Sequence, residues 1–302
     1  MTASAKPLKV SAFGQSDIGL VRKNNEDSFL IANLTSGIVT PSTAAVNDPI
    51  PTDANLFIVA DGMGGMQAGE VASHMAVDLV ARNMIDQLKH KHPTDQQSFV
   101  KILERAIQET NRFVFQEGQR DSQLRGMGTT LTAAAVHGGS LFIAQLGDSR
   151  AYLIRHGAIT LMTRDQSLVA QMVDSGALSP EEANVHPRRN VILQALGVQP
   201  QVDVVISCAE LKRGDQLVLC SDGLWGKVEA EESAELIERF DPTTACQSLV
   251  QLARDRGGED NITVIVAYFD GEGLPPPDPD DVPVYDRFRE KTQRRFWRWG
   301  RS

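Results

Sequence analysis

Apolar and polar positions along this chain repeat with two different periods, and the changes of period mark its elements. Residues 10–16 and 28–32 are short β-type runs on either side of a polar turn, Arg22-Lys23-Asn24-Asn25-Glu26-Asp27. Residues 33–55 are rich in Thr, Pro, Ala and Ser without a clear period, which predicts a surface loop. Phe57-Ile58-Val59-Ala60 is an unbroken apolar run that stops at Asp61 and is followed by Gly62-Met63-Gly64-Gly65. Such a run predicts a buried strand, and the glycines predict a sharp exit that holds the carboxylate at a sheet rim. Helical spacing then takes over. Val71, Met75, Leu79, Ile85 and Leu88 predict a helix over 69–89, and Phe99, Leu103, Ile107, Thr110 and Val114 a second over about 95–119.

Beyond residue 128 the period returns to that of strands. Residues 129–136, 140–146, 151–155 and 158–163 are β-rich and are separated by His137-Gly138-Gly139, Gly147-Asp148-Ser149-Arg150 and His156-Gly157. Connections this short cannot hold a crossover helix, so an antiparallel meander is expected. Residues 168–195 are polar and partly helical, with Ser179-Pro180-Glu181-Glu182 as a helix start. The predicted strand 216–220 delivers Ser221-Asp222-Gly223 much as 57–60 delivers Asp61-Gly62. Residues 231–239 and 243–256 read as helices, and 262–269 as the last strand. Helices outside hairpin-linked strands imply an α+β layering.

Composition narrows the class. At 302 residues, 41% hydrophobic and 23% charged, the chain has the makeup of a soluble globular protein. No apolar run approaches the roughly 20 residues of a membrane span, and residues 1–9 read as a disordered lead without a signal-peptide core. Cys208, Cys220 and Cys246 are odd in number and widely spaced, giving neither a disulfide framework nor zinc spacing, so a cytoplasmic location is expected. The net charge of −9 argues against a nucleic-acid partner. From Gly271 a proline-rich acidic spacer (Leu274-Pro275-Pro276-Pro277-Asp278-Pro279-Asp280-Asp281) leads to a basic, aromatic end, Arg294-Arg295-Phe296-Trp297-Arg298-Trp299. That end reads either as a solvated tail or as a segment that docks a partner or a membrane surface.

The chemistry lies in carboxylates at strand ends. Glu26-Asp27, Asp61, Asp148, Asp222 and Asp260 each sit where a predicted strand meets glycine or a polar turn. One Asp-Gly alone is ordinary turn chemistry. If these ends converge, the carboxylates would repel one another severely without cations. Carboxylates, a backbone carbonyl and water suit Mg²⁺ or Mn²⁺. Two such ions about 3.5–4 Å apart can activate a water for in-line attack on phosphorus, with Asp61 as the natural bridge and the Gly62 carbonyl as a further ligand. Arg22 offers a planar fork for phosphate oxygens.

Six motifs occur in order: Arg22-x-x-Asn25-Glu26-Asp27, Asp61-Gly62-Met63-Gly64-Gly65, Gly126-Met127-Gly128-Thr129-Thr130, Gly147-Asp148-Ser149-Arg150, Ser221-Asp222-Gly223 and Glu259-Asp260-Asn261-Ile262-Thr263. The set resembles the metal-dependent, protein phosphatase 2C-type (PPM) serine/threonine phosphatases in their bacterial form, over about residues 10–269. The resemblance implies a four-layer α-β-β-α sandwich over 10–270, with a flap at about 165–196 and the tail at 271–302 outside it. It implies dephosphorylation of phosphoserine and phosphothreonine in proteins; the enzyme is expected to oppose a serine/threonine kinase and to act as a monomer. Carried over residue by residue, Asp61, the Gly62 carbonyl, Asp222 and Asp260 hold two central ions. Asp148 with Asp222 binds a third, Glu26 and Asp27 order metal-bound waters, and Arg22 binds the phosphate. Met63 stands where many eukaryotic relatives carry a histidine considered a general acid, so the proton must come from a metal-bound water or from His186. Gln166 also replaces a histidine common after the aspartate of Thr-Arg-Asp. Two other classes remain open: a non-catalytic phosphoprotein-binding module, and a two-metal hydrolase of small phosphate esters. Cysteine-based and P-loop chemistries are excluded, since no cysteine has arginine six positions on and no Walker A sequence occurs.

Overall fold

Two antiparallel sheets lie face to face in the computed structural model, which describes residues 8–40, 46–52, 54–64, 68–91 and 93–288. In chain order the strands and helices are β1 (Leu8–Asp17), β2 (Asp27–Asn33), β3 (Ile38–Thr40), β4 (Val46–Thr52), β5 (Ala54–Met63), α1 (Ala68–His90) and α2 (Gln96–Arg120). There follow β6 (Gly128–Thr129), β7 (Leu131–His137), β8 (Ser140–Leu146), β9 (Arg150–Arg155), β10 (Ala158–Leu161), α3 (Leu168–Asp174) and α4 (Pro180–Asn184). The chain closes with β11 (Val205–Glu210), β12 (Gln216–Cys220), α5 (Asp222–Trp225), α6 (Ala230–Arg239), α7 (Pro242–Asp255), β13 (Ile262–Asp270) and β14 (Asp286–Arg287). One sheet has the order β10-β9-β12-β13-β1-β4, and the other β14-β11-β8-β7-β5-β2-β3 with β6 added to β5.

Three apolar layers hold the sheets and helices together. Leu56, Ile58 and Ala60 of β5 face α1 and α2, while Phe57 and Val59 face the opposite sheet. Burial on both sides explains why this strand is apolar without alternation. β13 behaves alike: Ile265, Ala267 and Phe269 enter the inter-sheet layer, and Val264 and Val266 pack under α6 and α7. Phe57 meets Phe269 edge to face across the middle, with centroids 6.2 Å apart; truncating either ring costs about 3–5 kcal/mol. The result is the expected α-β-β-α sandwich.

Three expectations change. Residues 33–55 are not one loop: β3 pairs with β2 and β4 with β1, each at a sheet edge. Proline is tolerated there because an edge strand leaves one side of its backbone unpaired. The meander is interrupted, since β8 and β9 belong to different sheets and β9 pairs with β12. Gly147, at φ 95°, turns the chain across the gap and leaves Asp148 between the sheets. Packing also continues past residue 270, where the proline-rich stretch was read as a spacer. Leu274 is 2% exposed in the inter-sheet layer, Asp281 pairs with Arg155, and β14 extends β11. Residues 1–7 and 289–302, with most of the proposed lead and the aromatic tail, lie outside the described residues.

Candidate active site

Antiparallel pairing brings the carboxylate-bearing ends to one rim. Asp27 opens β2 directly opposite Asp61 near the end of β5. Asp222 follows β12, Asp260 precedes β13 and Asp148 sits in the β8–β9 crossing. Gly62 donates its N–H to the Glu26 carbonyl at 3.1 Å. A Cβ on Gly62 would lie 2.2 Å from the Gly69 carbonyl oxygen, so only glycine lets α1 approach β5 this closely.

Other motif residues anchor the carboxylates. The Asp61 carbonyl accepts from Thr130 N at 2.8 Å and Thr129 Oγ1 at 2.9 Å, and Asp61 N donates to Thr130 Oγ1. Thr130 Oγ1 in turn meets Ser149 Oγ at 2.7 Å, tying the Asp61 strand to the Asp148 turn. Ser221 Oγ donates to Asp27 Oδ2 at 2.7 Å. Asn261 accepts from Glu26 N at 2.8 Å and donates to the carbonyls of Ile18 and Asn24, so it fastens the polar turn to the start of β13.

Electrostatics show how uncompensated the cluster is. Burial pushes the Asp61 carboxyl well above the usual range, reinforced by Asp27, Asp222, Asp148 and Asp260. Burial likewise lifts Asp27 to about 7 and Asp148 to about 7, with Asp222 adding to both. Asp222, hydrogen-bonded to Asp61, is raised to about 6 by burial and by Asp260. Glu26 is raised by burial and partly offset by Arg22. Arg22 Nη2 donates to Asp260 Oδ2 at 2.6 Å, and this bond raises the arginine. Asp27 Oδ1 is buried without a hydrogen-bond partner among the described residues. Hard oxygen donors, one of them orphaned, fit a divalent cation better than they fit each other. Among the described residues no three His, Cys, Asp or Glu side chains already form a coordination shell.

A cavity of about 640 Å³ opens from this rim, with Asp148, Asp222 and Asp260 on one wall and α3 and α4 of the flap on another. His186 is not among its lining residues, and its Nδ1 accepts from Arg188 N. Gln166 acts as a brace, accepting from Gly147 N at 2.9 Å and from Gln194 Nε2 at 3.1 Å. Sequence reasoning missed a second brace. Arg150 forks onto Asp165 (Nη2–Oδ2 2.7 Å) and lies 3.7 Å over the Trp225 ring, whose Nε1 donates to the Asp148 carbonyl at 3.0 Å. Arg150 stood inside a quoted motif, but nothing local pointed to Trp225 or Asp165 as its partners.

Comparison with known proteins bears on the family and the fold. The sequence profile described as "Protein phosphatase 2C" matches residues 50–255. The serine/threonine protein phosphatase PstP of Mycobacterium tuberculosis is 36% identical over 253 residues, covering 84% of this chain and 44% of that protein. The chain thus spans less than half the length of that relative. The serine/threonine phosphatase stp of Listeria monocytogenes is 35% identical over 257 residues, covering 85% of this chain and 94% of the relative. The crystal structure of the PstP catalytic domain in complex with two manganese ions superposes with a TM-score of 0.71 at 34% identity, covering 87% of this chain and 99% of that one. With the sandwich, the rim of acidic strand ends and the sequence match all in agreement, the chain belongs to the protein phosphatase 2C family.

Proposed function

We propose that this chain hydrolyses phosphoserine and phosphothreonine esters in proteins with the help of Mn²⁺ or Mg²⁺. The observation that carries the reading is the convergence of Asp27, Asp61, Asp148, Asp222 and Asp260 at one rim, where Asp27, Asp148, Asp222 and Asp260 each raise a neighbouring carboxyl's affinity for a proton. Asp61, the Gly62 carbonyl, Asp222 and Asp260 would hold two central ions, and Asp148 with Asp222 a third. When bound, such ions supply charge neutralisation and an activated water for attack on phosphorus. The protein groups do the positioning. Arg22, half-exposed beside Asp260, would offer its planar fork to the phosphate oxygens. Glu26 and the orphaned Asp27 oxygen accept hydrogen bonds from water in the site. The flap supplies the far wall against which the protein substrate lies. His186 lies outside that wall, and we assign the leaving-group proton to water entering through the open mouth.

The substrates are phosphoproteins made by a serine/threonine kinase in a bacterial cytoplasm, and the enzyme works as a monomer. Support for the compartment comes from three free cysteines. Among the described residues no helix is long and apolar enough to cross a membrane. The test is hydrolysis of a phosphothreonine peptide by the purified chain. We expect EDTA to abolish it and Mn²⁺ or Mg²⁺ to restore it. Peptide binding without turnover would favour a binding module, and faster cleavage of small aryl phosphates than of any phosphopeptide would favour the small-ester reading.

A further inference from the structure

A second cavity, of about 320 Å³, lies where the two sheets part beside the β11 edge. Its size falls at the lower end of the range for small-molecule sites, which are apolar with a few placed polar groups. Ile143, Met162 and Val205 form the apolar floor, and Tyr285 and Arg287 of the C-terminal strap form the mouth. The remaining wall is the segment Thr163-Arg164-Asp165-Gln166, with Gln145 and Ser207.

The hydrogen-bonding groups of that wall are mostly committed. The Gln145 amide donates to the carbonyls of Gly147 and Ser149 and accepts from Arg164 N. The Gln166 amide spans Gly147, Gln145 and Gln194. Ser207 Oγ donates to the Met162 carbonyl. Thr163 Oγ1 accepts from Ala151 N, which leaves its proton unused. Neither the Tyr285 hydroxyl nor the Arg287 guanidinium has a partner among the described residues. The uncommitted groups are therefore three donors and no acceptor-only group.

The charges give the same answer. Arg164 is paired with Asp174 and Asp165 with Arg150, which leaves Arg287 as the unbalanced charge of the lining. Asp286 lies in the ladder opposite Cys208, one position along from the Arg287–Ser207 pair, so the strand places it on the other face. A single positive charge beside two hydroxyl donors over an apolar floor describes one class of ligand.

We propose that this cavity binds a small monocarboxylate, its short apolar chain lying on Ile143, Met162 and Val205 and its carboxylate held by Arg287, Tyr285 and Thr163. The bound molecule touches Arg164 and Asp165, which also line the larger cavity, so the two sites share one wall. The proposal does not rest on the phosphatase reading.

The test uses the full chain loaded with Mg²⁺ and labelled with ¹³C at the methionine methyl groups, the Met162 signal being assigned with Met162→Leu. Hexanoate is the probe; acetate and hexan-1-ol each lack one half of the predicted ligand. We expect the Met162 methyl to shift saturably with hexanoate and far less with either control. Arg287→Glu, at an exposed position, should weaken hexanoate by about tenfold or more, and Val205→Phe should fill the floor and abolish binding. The proposal is overturned if the Met162 signal stays in place, if acetate or hexan-1-ol moves it as far, or if Arg287→Glu leaves the affinity unchanged. Should Val205→Phe fail to fold, the Arg287 variant and the two control ligands still decide the question.

Discussion

Two aspartates bracket the same five-residue strand, β12, and their surroundings are opposites. Asp215, just before it, is fully buried, and Arg155 grips it with two hydrogen bonds of 2.8 Å. Lys212 N adds a third at 2.8 Å, and Arg155 also reaches Asp281 of the strap and the Glu210 carbonyl. Asp222, just after the strand, is buried among other carboxylates and raised to about 6. The first end is compensated in place and works as a structural clamp. The second is left uncompensated, which costs stability unless a cation arrives. A buried carboxylate is thus no sign of a reactive site until its counter-charge has been looked for.

The sharpest way to break this contrast is to neutralise the uncompensated end. Asp61→Asn should lower phosphopeptide turnover by about 10²–10³-fold, the scale of removing one preorganised electrostatic group. In EDTA the same variant should melt at a higher temperature than the parent, because a carboxyl that burial and four neighbouring carboxylates hold against ionisation is replaced by a neutral amide. Wild-type turnover, or a lower melting point in EDTA, would contradict the assignment. At the other end the signs reverse. Arg155→Ala should destabilise the fold by about 3–5 kcal/mol by leaving Asp215 buried and unpaired. Denaturant unfolding measures this, and a double change that also removes the Asp215 charge should recover part of the loss.

Proton linkage sharpens the comparison without mutation. The folded-state values of Asp27 and Asp148 (about 7) and Asp222 (about 6) lie above those of an unfolded carboxyl. Their contribution is fully present below the ordinary carboxylate range and is lost as pH rises through about 6 to 7. The metal-free protein should therefore melt progressively lower between pH 5 and pH 8, and saturating Mn²⁺ should remove the decline. A flat profile in EDTA would mean that the cluster is already compensated. The smallest expected effect is at Arg22. Its replacement by alanine should raise KM for a phosphopeptide by about tenfold with little change in kcat, since a charge-assisted hydrogen bond is lost. Steady-state kinetics separate the two constants, and an unchanged KM would end its role as the phosphate clamp.

How far each region was legible beforehand follows the range of the interactions that build it. The apolar run of β5, the capping box of α4 and the five residues of β12 could be read directly, because burial, capping and strand period act between near neighbours. β3 and β4 were hidden, since short edge strands carry little apolar signal and Pro49 and Pro51 read as breakers. The proline-rich stretch after Gly271 looked like a spacer for the same reason. Nothing local to Leu274 or Asp281 announces the inter-sheet layer or the Arg155 guanidinium that receives them.

By itself the sequence determined that acidic residues end several strands, that the layering is α+β and that the ordered motifs match one phosphatase family. Those are properties of residue type and spacing along one stretch of chain. Only the tertiary structure decided which carboxylates lack a counter-charge, that Trp225 and Arg150 brace the Asp148 turn, and that His186 stays outside the cavity lining. The physical reason is that compensation of a buried charge depends on partners tens to hundreds of positions away, brought within hydrogen-bond reach only once the sheets have paired.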